Sequence, residues 1–132
     1  MKRKKKQPQQ AAQPDLQKRK ISEMIQEFAG DFIRLGKTPE DKQNYLNGAC
    51  VAWNIASARP ERRKKLVDHF VAEYKRHNPN TDEAALAAIR SDMEHLIDVK
   101  LKMFPGDLRQ IVSARYTHTE HGDRIEVVSA RL

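Results

Sequence analysis

Five histidines and a single cysteine are the side chains best suited to metal or nucleophilic chemistry in this 132-residue chain, and their spacing argues against both. His118 and His121 lie close to Glu120 and Asp123. A His-x-x-His pair in a turn offers two ligands, however, and a zinc site needs three or four at fixed positions. His69 and His77 are eight residues apart, too far to chelate as neighbours on one helical turn. Cys50 has no second cysteine to pair with and no basic neighbour in sequence to lower its pKa, so it reads as a small core residue. No phosphate-binding glycine loop, nucleophile elbow or His-Glu-x-x-His motif occurs. The sequence therefore assigns no catalytic residue, no metal ligand and no cofactor, and the expectation is a protein that is not an enzyme.

Basic and amide side chains carry the remaining signals. The chain has 25 basic and 18 acidic residues; the first twenty positions hold eight of the basic ones and one acid, leaving seventeen of each sign in the rest. The pI of about 9.7 is thus a property of the leading segment. Lys2, Arg3, Lys4, Lys5 and Lys6 form a polycation suited to phosphates, although such a run also serves simply to keep a chain soluble. A second cluster, Arg59, Arg62, Arg63, Lys64 and Lys65, opens a helix, where the dipole disfavours positive charge by about 0.3–1 kcal/mol per group. Two readings compete. The cluster meets the acids of the following helix (Asp82, Glu83, Asp92, Glu94 and Asp98), the favoured expectation, or it binds an external anion. Asn44, Asn47 and Asn54 form a third group, expected on one helical face, where they either hydrogen bond to the hairpin or a loop or make a polar binding face.

Periodicity supplies the elements that hold these residues. Residues 1–14, basic and then rich in Gln and Pro, read as a disordered tail, and 15–132 as one domain. A first helix is expected from near Asp15, with Leu16, Ile21, Met24, Ile25, Phe28, Phe32 and Leu35 on its apolar stripe. Gly30 suggests a close helix neighbour, and Gly36 a left-handed stop. Thr38-Pro39 then caps a second helix that carries no charge from Tyr45 to Ala58 and is apolar on two sides, so it belongs at the centre. A third helix runs from Pro60 to about His77, and a fourth from about Asn80 to Phe104. Alternating β-branched residues in 111–118 and 124–132 predict a hairpin within 107–132 that needs cover from a helix or from another strand.

The expected fold is mainly α within the α+β class: a compact four-helix bundle with a C-terminal β-hairpin. No apolar run is long enough for membrane insertion, and the lone cysteine fits a cytoplasmic location. The functional expectation is a protein-interaction module whose partner is another protein or a second copy of itself. The alternative is a nucleic-acid-binding accessory protein using the basic arm and Arg59–Lys65.

Overall fold

The structure, a computed structural model, describes residues 20–130. Four helices, α1 (Ile21–Ile33), α2 (Pro39–Ala56), α3 (Pro60–His77) and α4 (Glu83–Met103), precede an antiparallel hairpin of β1 (Gln110–Thr119) and β2 (Gly122–Ala130). The basic arm and residues 15–19 lie outside the described residues; the first helix, expected from near Asp15, begins at Ile21, because Lys20 is extended and serves as its N-cap.

Local signals set the helix starts. Thr38 accepts the Asp41 amide at 3.0 Å with Pro39 in the first turn, and Asp82 accepts the Ala85 amide at 2.8 Å. Helix α2 is central, packing against α1, α3, α4 and β1. Leu46, Ala49, Ala52 and Trp53 on it are fully enclosed, and Ile55 on its second apolar face is buried as well. Phe28 meets the Trp53 ring edge-on at a centroid distance of 5.6 Å, and Phe104 lies 5.8 Å away on a tilted plane.

Three details of α1 differ from expectation. Its regular turns end at Ile33, and Leu35 stays 65% exposed, so the stripe stops one turn early. Gly36 is not left-handed; among the described glycines only Gly122 has positive φ, at 119°. Gly36 is needed for room instead, since a Cβ there would stand 2.8 Å from the Lys42 backbone nitrogen. Gly30 does not mark a helix crossing either: the atoms a Cβ would meet belong to Gln26 and Arg34 of its own helix.

Helix α3 is the least covered element. Of its stripe only Val67 is buried; Leu66, Phe70 and Val71 are half-buried and Tyr74 is exposed. The hairpin, by contrast, is firmly attached. Its register pairs Tyr116 with Ile125 and Ala114 with Val127, and slips between Ile111 and Ser113, which leaves Val112 unpaired and 67% exposed.

Candidate functional site

The basic cluster does not meet the acids of α4. The ion pair that joins the two helices has the opposite polarity: Arg90 of α4 binds Asp68 of α3 at 2.6 Å. Lys64 also binds Asp68, at 3.2 Å, and the Arg90 and Lys64 hydrogen bonds hold the Asp68 carboxyl below the usual carboxylate range. Arg63 is spent on structure. It donates to the Ala56 carbonyl at 3.0 Å and to the Ala58 carbonyl at 3.2 Å, closing the C-terminus of α2. Arg59 makes only a solvent-exposed pair with Glu61 at 3.3 Å. Arg62 and Lys65 make no ion pair among the described residues.

Arg59 and Arg62 instead stand at the mouth of a concavity of about 470 Å3. Its walls are Val51, Ile55, Ala58 and Leu66, with Asn54, Ser57 and Gln110 adding polar edges. Two guanidinium groups over an aliphatic floor suit a ligand with carboxylates beside apolar side chains.

The three asparagines separate into three roles. Asn54 is a clamp on the hairpin: its Nδ2 donates to the Ile111 carbonyl at 3.0 Å and its Oδ1 accepts the Ile111 amide at 2.8 Å. Asn47 is exposed and accepts from Gln43 at 2.8 Å. Asn44 lines a separate groove of about 240 Å3 among Phe32, Tyr45, Phe70, Tyr74 and Met93. Asn54, half-buried, thus satisfies the edge of β1 at Ile111. Gln43, a residue the sequence reading passed over, does the same further along: it donates to the Ala114 carbonyl at 3.1 Å and accepts the Tyr116 amide at 2.7 Å. The two positions are eleven apart, three turns of helix, so they share an azimuth. That spacing was the available signal.

A buried polar cluster also escaped the sequence reading. Lys100 is fully enclosed, its Nζ donating to the Asp107 carbonyl at 2.5 Å and lying 4.8 Å from the Trp53 ring centre. Burial pushes its ammonium below the ordinary lysine range, opposed by the Asp107 charge. Burial also acts to raise the Asp107 pKa, but the Arg109 bonds, with Nη2–Oδ2 at 2.5 Å, outweigh it and hold the carboxyl below its usual range. The Arg109 carbonyl in turn accepts the Trp53 indole N–H at 2.9 Å. Lys100 continues the Met93, Leu96, Ile97 stripe in helical register, a hint legible in hindsight. The group ties α4 to the strand entry and lines neither the concavity nor the aromatic groove.

At the hairpin turn, His118 Nδ1 lies 2.6 Å from Asp123 Oδ1 and His121 is 3.6 Å from Glu120. Desolvation and a hydrogen bond to Asp123 push the Tyr116 phenol up to about 12. Among the described residues no three His, Cys, Asp or Glu side chains are grouped so as to hold a metal ion. Cys50 is buried, which pushes its thiol up to about 12, far from a reactive thiolate at neutral pH. Among the described residues no helix is long and apolar enough to cross a membrane.

No protein family model, no curated protein and no solved structure matches this chain.

Proposed function

We propose that the protein is an interaction module that captures an acidic amphipathic segment of another protein in the concavity between α2 and the first turns of α3. The observation that carries this reading is the pairing of Arg59 and Arg62 with an apolar floor that α3 leaves uncovered. Both arginines sit where the positive end of the α3 dipole works against them, at about 0.3–1 kcal/mol each. A residue kept at a cost to its own helix is well explained by a task outside it. The floor of Val51, Ile55 and Leu66 would receive Leu or Phe side chains, and the guanidinium groups the carboxylates beside them.

A fluorescently labelled amphipathic Glu/Leu helical peptide, titrated into the full chain, tests this by anisotropy. Micromolar binding that weakens with salt is expected. The variant Arg59→Glu/Arg62→Glu should bind at least about tenfold more weakly, since two charge-assisted contacts are lost. The same variant should melt no lower than the parent, because acids suit the start of a helix. Binding that is unchanged in this variant, or absent from the parent, would reject the docking reading. A labelled single-stranded oligonucleotide run in parallel addresses the nucleic-acid alternative. Tight oligonucleotide binding without peptide binding would favour that alternative, with a salt slope set by the number of phosphates neutralised.

A further inference from the structure

We infer that β2 is a self-pairing edge, and that two copies of the chain join through it in one register to form a four-stranded antiparallel sheet ordered β1-β2-β2-β1. This is independent of the concavity at α3.

The argument begins with Gln43. In an antiparallel ladder, residues alternate between pairs whose N–H and C=O face each other and pairs whose groups both point away from the partner strand. Gln43 takes the Ala114 carbonyl and the Tyr116 amide from the side of β1 away from β2, so residues 114 and 116 belong to the outward set. Their cross-strand partners, Val127 and Ile125, therefore turn their own N–H and C=O away from β1, and Asp123, two residues before Ile125, does the same. The two edges of the hairpin are thus unequal. The β1 edge is tied to α2 through Ile111, the Ala114 carbonyl and the Tyr116 amide, whereas on β2 the backbone groups of Asp123, Ile125 and Val127 bond no other group among the described residues. A row of open donors and acceptors of this kind is a template for another strand.

Side chains select the partner and the register. The face of β2 directed away from the helices carries Arg124 (72% exposed), Glu126 (46%) and Val128 (58%). In a two-fold antiparallel pairing centred on Ile125, Arg124 of each copy faces Glu126 of the other. Glu126 already holds Arg115 across the hairpin at 2.9 Å, so each copy would extend an existing Arg–Glu row by one more arginine. The other centres are worse. Centring on Arg124 or on Glu126 sets a like charge against itself, centring on Asp123 does so for two carboxylates, and centring on Val127 leaves both charges opposite aliphatic residues. The charge pattern Arg-Ile-Glu is self-complementary only about its middle residue, which fits a second copy of this chain as the occupant.

Sedimentation of the full chain, with two single variants and their mixture, tests the register. The parent should be dimeric at about 100 µM, and Arg124→Glu and Glu126→Arg should each dissociate about tenfold more readily, because each turns two attractive cross-strand pairs repulsive. An equimolar mixture of these two variants should recover dimer, since every cross-copy pair is then again opposite in sign. Ile125→Pro removes an outward N–H and no hairpin bond, so it should yield a folded monomer. A parent that stays monomeric at that concentration overturns the inference. So does a dimer that ignores Ile125→Pro, or a mixture that fails to recover dimer while both variants remain folded.

Discussion

Asp107 is 3% exposed and the Arg109 side chain 12%, so neither charge is well hydrated where it stands, and their pairing offsets part of the cost of burying both. The same aspartate supplies the carbonyl that receives Lys100, which makes it the hinge of the polar cluster under Trp53. Asp107→Ala breaks this buried ion pair and should cost about 3–5 kcal/mol, measured by urea denaturation. The pH dependence has a definite sign. The native Asp107 pKa lies below its ordinary value of 3.8, so the stabilisation is fully present above that value and is lost as pH falls through the lower, folded-state pKa. Asp107→Asn keeps the shape without the titration. It should start less stable at neutral pH, and its stability should fall less steeply than that of the parent below about pH 4. An equally steep fall in both would show that other carboxylates govern acid unfolding.

At the scale of elements, glycine separates what a sequence can disclose from what it cannot. Gly36 after an amphipathic stripe marks the end of a helix correctly, but for the wrong reason. The local rule supplies a left-handed stop, whereas the chain uses glycine there because the first turn of α2 passes within 2.8 Å of where a Cβ would sit. Gly48, inside α2, has nothing but its own helix's backbone within 4 Å of that position. Gly36→Ala should therefore destabilise by about 1–3 kcal/mol as backbone is displaced, while Gly48→Ala should stabilise by about 0.5–1 kcal/mol through helix propensity. Thermal melts of the two variants should move in opposite directions. The starts of α2 and α3 were legible because Thr38-Pro39 and Pro60 act on their immediate neighbours, whereas α4, expected from about Asn80, begins at Glu83 because Asp82 is its cap. Lys100, Gln43 and the partition of the basic cluster were not, because a lysine or glutamine is placed on the surface by default until its distant partners are known. Arg63 is the sharpest case. Its type suggested an acid of α4 or an external anion, yet its bonds run to the last carbonyls of the preceding helix.

Across the whole molecule, the question is which parts can open alone. Trp53 sits where α1, α2, α4 and the entry to β1 meet, touching Phe28, Phe104 and Lys100 and donating to the Arg109 carbonyl. Losing any of those elements exposes the indole, so its fluorescence reports on the shared core. The hairpin belongs to the same unit, since Asn54 and Gln43 fasten β1 to α2 at its start and its middle and β2 is held by β1 and by α1. Helix α3 differs: beyond its first turns, which Arg63 ties to the end of α2, one buried apolar residue and the Arg90–Asp68 bridge are modest anchors for eighteen residues. Native-state hydrogen exchange should therefore divide the chain in two. Amides of α2 and β1 should exchange only through global unfolding, at the free energy that Trp53 fluorescence gives in denaturant. Amides in the second half of α3, around Tyr74, should exchange at least about tenfold faster through a local opening. If α3 proved as protected as α2, its uncovered stripe would be rigid surface. If it opens first, the α3 side of the concavity, with Arg62 and Leu66, belongs to the element most easily displaced, and a bound acidic segment should slow that exchange in proportion to its occupancy.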